Sequence, residues 1–153
     1  MSTINTYNNI FRSDKLEEKF NEVDETIYVE EVALTAANLI AMYTTPVQLV
    51  AAPGAGKFLE VVSASVVFDY GTTQFTGGGA VVIEEETSQT ALTGTVAAAV
   101  IQAAADSITK VIPVAATLVA NKGIFISNAT AVFAAGDGVA RVKVAYRTHD
   151  TGL

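Results

Sequence analysis

Across residues 139–147 apolar and polar positions alternate. Val139, Arg141, Lys143, Ala145 and Arg147 fall on one side, and Ala140, Val142, Val144 and Tyr146 on the other. A period of two marks a half-buried strand, so this stretch predicts a sheet with one wet, cationic face and one face turned to a core. β-Branched runs punctuated by Gly, Pro, Asn and Asp recur from Thr26 onward. They predict further strands over 26–34, 47–51, 58–70, 80–85, 108–114 and 123–127. Two alanine-rich stretches, TAANLIAM (35–42) and VAAAVIQAAA (96–105), read either as short helices or as strands packed against small neighbours. Many short strands with frequent turn signals predict an all-β fold: a single jelly-roll-like β-sandwich domain over 26–153.

Residues 1–25 follow a different pattern, polar and charged, with one periodic stretch. Asp14 and Glu17 are spaced as a capping pair, and Leu16, Phe20 and Val23 recur at helical spacing. A helix of about ten residues is marginal alone in water. This short helical or extended arm therefore rests on the chain's own body, docks on a partner, or frays as an acidic tail. Within the body, TQFTGGGAVVI (73–83) and AVFAAGDGVARVKV (131–144) echo one another, each placing a Phe before a Gly-rich turn and then a strand. Phe75 and Phe133 are expected to plug the sandwich at equivalent corners. The echo is too short for a solenoid or propeller.

Charge sharpens the contrast between the two regions. The net charge is −7, yet residues 1–31 carry eight acidic and three basic residues, a net of −5, and the other 122 residues carry only −2. An acidic segment repels phosphate backbones, and no basic stripe with interleaved aromatics appears, which argues against a nucleic-acid partner. Half the residues are hydrophobic, but the longest apolar stretch, Val111 to Ala120, is ten residues long and interrupted by Pro113 and Thr117. A spanning helix needs about 20, so no membrane role is expected. The polar N-terminus does not read as a secretory signal.

The stretch VAAPGAGKFLEVV (50–62) raises the question of a phosphate-binding loop. The Walker pattern needs a glycine where Ala51 stands and a Ser or Thr where Phe58 stands. Without them the reading is a tight turn, with Pro53 fixing φ and Gly54 and Gly56 free to take positive φ. There is no cysteine, and His149 is the single histidine. Thiol chemistry is thus excluded, and a histidine-based metal site or Ser-His-Asp arrangement would hang on one position near the C-terminus.

Three groups of residues merit consideration as sites. Glu84 and Glu86 would share a strand face and could hold a hard cation, but no patterned calcium loop surrounds them. The Glu84–Glu86 run is expected to be a solvated strand end whose like charges discourage edge pairing. Asp69 and Asp137 each adjoin a Gly-rich turn and could share acid and base duties; the competing reading is that each bonds local backbone N–H groups of its turn. Tyr70 and Phe75, with Tyr43 and Tyr146, could supply a platform on which a sugar stacks. No cofactor or metal is implied and no catalytic constellation stands out, so a carboxylate-pair hydrolase is the weakest of the functions weighed.

The strings TPVQLVAAPGAGKFLEVVSASVVFDYGTTQFTGGGAVVI (45–83) and NKGIFISNATAVFAAGDGVARVKVAYR (121–147) resemble small structural proteins of tailed bacteriophages. The resemblance covers roughly residues 32–147, and its most specific elements are the APGAGK turn, the DYGTTQFTGGG corner and the GDGVARVKVAYR strand. It implies a non-enzymatic virion component made in the host cytoplasm, a capsid decoration or head-fibre subunit, often trimeric. It implies other virion proteins of capsid or collar as partners. On that reading the arm is the docking segment, with Ile10, Phe11, Leu16, Phe20 and Val23 as apolar anchors. The alternative it leaves open is a carbohydrate- or receptor-binding tail-fibre module gripping glycans near Tyr70 and Phe75.

Overall fold

The structure is a computed structural model that describes residues 26–87 and 89–152. The docking arm and its anchors Ile10, Phe11, Leu16, Phe20 and Val23 lie outside the described residues. The elements in chain order are β1 (Tyr28–Leu34), α1 (Ala36–Ala41), β2 (Val47–Val50), β3 (Lys57–Asp69), β4 (Thr76–Gly77), β5 (Val81–Glu85), α2 (Ala98–Ile101), β6 (Ser107–Val111), β7 (Ile124–Asn128), β8 (Phe133–Ala134) and β9 (Val139–Asp150).

The strands form a four-stranded sheet in the order β1-β9-β3-β6, a three-stranded sheet in the order β2-β7-β5, and a two-stranded ribbon of β4 with β8. All the paired strands are antiparallel. Residues 91–96 extend the second sheet beyond β5: Val81 and Val96 exchange two backbone hydrogen bonds of 2.8 Å, and the Leu92 amide donates to the Ile83 carbonyl at 2.9 Å. The sequence had predicted no strand there. ALTGTV lacks a clean alternation, and its pairing is set by the hairpin from β5 rather than by its own pattern. With this segment counted and the β4–β8 ribbon set aside, each step along the chain crosses from one main sheet to the other except the β5 hairpin. That is the jelly-roll arrangement of two Greek keys, so the expected all-β, jelly-roll-like sandwich is the observed fold.

The inner faces meet in one core. Val66, Phe68, Val142 and Val144 of the first sheet face Ile83, Ile124 and Ile126 of the second, all essentially fully buried. The alternation read from β9 holds: Ala140, Val142 and Val144 are buried, while Val139, Arg141 and Lys143 are exposed. β3 carries a bulge between Val61 and Ser63, so Val62 has no partner on β9. Of the two alanine-rich stretches, the first is helical over α1. Thr35 caps it reciprocally: its hydroxyl accepts from the Asn38 amide at 3.2 Å, and Asn38 Oδ1 accepts from the Thr35 amide at 3.0 Å. Leu39 and Met42 then pin the helix to the core. The second stretch divides, with Val96 bridged to β5 and only one helical turn, α2, following it.

The expected corner plugs form a reciprocal pair. Phe75 and Phe133 are both buried, with ring centroids 5.9 Å apart at 64°, edge to face. Each ring lies where the partner motif has no side chain. A Cβ on Gly78 would overlap the Phe133 ring, and one on Gly136 would overlap the Phe75 ring. Both glycines sit three residues after their own Phe and have positive φ, +77° and +83°.

Candidate interaction surfaces

The DYGTTQFTGGG corner follows β3 and is held by groups far away in sequence. The Tyr70 amide donates to Asp106 Oδ1 at 2.9 Å, and the Tyr70 hydroxyl donates to the Thr72 carbonyl at 2.9 Å. Asp137 accepts from the amides of Thr72 and Thr73, both at 2.8 Å, and from the Thr72 hydroxyl at 2.6 Å. These bonds, the Thr72 hydroxyl foremost, hold its carboxyl below the usual aspartate range. Asp137 is therefore a fastener between two loops; its partners lie in the other Gly-rich turn rather than in its own. A side chain at Gly71 would run into the Asp137 carboxylate, so glycine there follows from the fastening. Asp69 ends β3 opposite Val139 and takes no part in this network.

Tyr70 is half-buried beside this corner, but Phe75 is 2% exposed, with Phe68 and Phe133 against its ring. It presents no face on which a sugar could stack, so the two residues do not form the platform the sequence suggested. Tyr146 stacks on Tyr28 at 5.7 Å across the β1–β9 pair. Tyr43, by contrast, stands exposed after α1.

The Glu84–Glu86 run is not a solvated strand end. Glu84 and Glu85 are 6% and 5% exposed, and Glu86 is half-buried. Two of the three hold loops: Glu85 Oε1 accepts from the Val119 amide at 2.7 Å, and Glu86 Oε2 accepts from the Gly123 amide at 3.1 Å. The long β6–β7 connection folds back over these carboxylates, which a period-two pattern cannot reveal. Among the described residues no group of three or more His, Asp or Glu is placed to hold a metal ion.

The 50–62 stretch is a tight turn. Gly54 and Gly56 have φ of +101° and +73°, the Lys57 amide donates to the Gly54 carbonyl at 3.3 Å, and Asn121 Oδ1 accepts from the Gly54 amide at 3.0 Å. His149 stacks on Phe58 at 5.0 Å and meets Glu60 Oε2 at 2.9 Å through Nε2.

Among the described residues nothing covers the outer face of the four-stranded sheet. Register places Ala33, Arg141, Val67 and Ile108 in one row across it, and Glu31, Lys143, Ser65 and Lys110 in the next. Lys143 Nζ pairs with Glu31 Oε2 at 2.9 Å, and that bond lowers the Glu31 pKa. The two edges display apolar side chains: Ile27, Tyr28 and Val29 (65% exposed) on or beside β1, and Ile108 (78% exposed) and Ile112 on or beside β6. Among the described residues no helix is long and apolar enough to cross a membrane.

No family model matches the chain, and no curated protein matches it. Among solved structures it is similar to a chain of the "Cyanophage Pam1 capsid asymmetric unit", with 17% identity and a TM-score of 0.47 over 80% of this chain and 84% of that one.

Proposed function

We propose that this protein is a non-enzymatic structural subunit of a tailed-phage virion, decorating or projecting from the capsid as a homotrimer. Residues 1–25 would fasten it to capsid or collar proteins through Ile10, Phe11, Leu16, Phe20 and Val23. The observation that carries the reading is the first sheet: the outer edges of its terminal strands β1 and β6 carry no further strand among the described residues, and both present large aliphatic side chains. Exposed apolar edges are a liability for a solitary domain, and closed symmetric assembly covers them without leaving an edge free to propagate. The resemblance of the APGAGK, DYGTTQFTGGG and GDGVARVKVAYR elements to phage structural proteins supports the same reading.

The test is the solution mass by light scattering of the full chain and of a form lacking residues 1–25, with particle attachment measured for both. A trimer in both, with attachment lost on truncation, is expected. A monomer in both overturns the trimer, and undiminished attachment of the truncated form overturns the docking role of the arm.

A further inference from the structure

The two terminal strands of the first sheet differ in charge. β1 reads YVEEVAL and β6 reads SITKV. Four antiparallel strands separate the two edges, so β1 and β6 run in opposite directions. A second copy laid alongside therefore brings its β1 antiparallel to this β6, with the outer faces of both sheets on the same side. An odd number of strands would have made that junction parallel, the less stable pairing.

β6 is open only over part of its length. Residues 92–94 pair with 112–114: the Ile112 carbonyl accepts from the Gly94 amide at 2.9 Å, and the Val114 amide donates to the Leu92 carbonyl at 3.1 Å. The stretch left free is 107–111. Strand residues direct their backbone groups alternately to the two sides, and those turned away from β3 meet no further strand among the described residues. Such a row is a template for another strand.

Side-chain parity restricts which strand fits, and how. Outer-face positions are Val29, Glu31 and Ala33 on β1, and Ile108 and Lys110 on β6, with Ile112 just beyond. All six are exposed. A slip of one residue would turn one strand's outer side chains to the other face, so only even shifts keep the faces matched. One of these sets Glu31 opposite Lys110, and the same register brings Ala33 to Ile108 and Val29 to Ile112. Shifting by two in either direction puts Glu31 against an isoleucine. Lys110 has no ion pair among the described residues, while Glu31 holds Lys143 through one oxygen and keeps acceptor capacity for a second cation. Pairing β1 with itself about its centre would instead oppose Glu31 to Glu31, a destabilising arrangement. We infer that β1 of one copy adds to β6 of the next as an antiparallel strand, in the register Glu31 to Lys110, and that this head-to-tail contact closes the trimer. The inference rests on the homotrimer reading. It names the two surfaces that meet.

The chain has no cysteine, so introduced thiols report the contact directly. Within one chain Ala33 and Ile108 lie in one row with β9 and β3 between them, about 14 Å at the usual strand spacing. A disulfide needs Cα atoms within about 7 Å, so in the double variant Ala33→Cys/Ile108→Cys a bond forms only between chains. Expected are a trimer by light scattering for the parent, a covalent trimer of the double variant on a non-reducing gel after mild oxidation, and no such product from either single variant. Lys110→Glu should raise the concentration at which the trimer dissociates about tenfold, and adding Glu31→Lys to the same chain should restore it in part, with thermal melts confirming that every variant folds. A trimeric parent whose double variant stays unlinked, or whose Ile108→Cys single variant links as well as the double one, overturns the edge pairing and leaves the trimer standing. A monomeric parent overturns both. A covalent ladder running past three chains upholds the edge pairing and overturns its closure into a trimer.

Discussion

Removing one of the corner glycines should expose the reciprocal packing of Phe75 and Phe133. In Gly78→Ala the new Cβ would overlap the Phe133 ring at a position with φ of +77°. The left-handed backbone costs an alanine about 1–2 kcal/mol, and forcing the ring aside adds about 1–3 kcal/mol of overpacking, for about 2–5 kcal/mol together. Phe133→Ala alone empties a site that is 0% exposed and should cost about 3–5 kcal/mol. If the ring is what the Cβ meets, only the backbone term survives in the double variant. The pair should then be less destabilising than the sum of the single variants by about 1–3 kcal/mol, a coupling typical of residues in contact. Urea denaturation of the four proteins measures it, with unchanged m-values as the check on two-state behaviour. Gly136→Ala with Phe75→Ala should give a coupling of the same sign. Additivity within about 0.5 kcal/mol in both cycles would refute the reciprocal arrangement.

Other consequences are checked more simply. Asp137→Asn should lower the melting temperature at pH 7. The folded-state pKa is depressed, so the stabilisation is present above the unfolded value near 3.9 and fades as pH falls through the folded one, where variant and parent melts should converge. Thr35→Ala removes a two-way cap and should cost about 1 kcal/mol in chemical denaturation. Glu85→Ala strands the Val119 amide and should cost about 1–3 kcal/mol, whereas Glu84→Gln, at a side chain that holds no loop and borders two surface hollows, should leave the denaturation midpoint nearly unchanged. Ile108→Lys, on the open edge of the first sheet, should lower the solution mass by light scattering while leaving the melting temperature of the body nearly unchanged.

What the sequence made legible follows the reach of its signals. Strand positions were readable because Val, Ile and Thr runs end at Gly, Pro and Asn, and β9 was readable to its faces because its alternation continues for nine residues. The Phe75–Phe133 correspondence was visible as an echo, since a glycine three residues beyond each Phe is local information. That each glycine serves the other motif's ring was not visible, because the pairing of β4 with β8 joins residues 58 apart. Asp137 failed for the same reason: turn chemistry predicts bonds within a turn, and its donors lie 64 and 65 residues away.

The three glutamates show where reading by pattern stops. On a strand, Glu84 and Glu86 share one face and Glu85 the other, and a run of like charges ordinarily belongs in water. What decides their fate is the segment between β6 and β7, whose amides at Val119 and Gly123 come down on Glu85 and Glu86. Backbone N–H groups at a loop must find acceptors, and a buried carboxylate is a strong one, so the loop and two of the glutamates satisfy each other. Glu84, on the other face of the strand from Glu85, makes no side-chain hydrogen bond among the described residues and borders two surface hollows. Because only Glu85 and Glu86 hold the loop, Glu84→Gln leaves the denaturation midpoint nearly unchanged, whereas Glu85→Ala and Glu86→Ala each lower it.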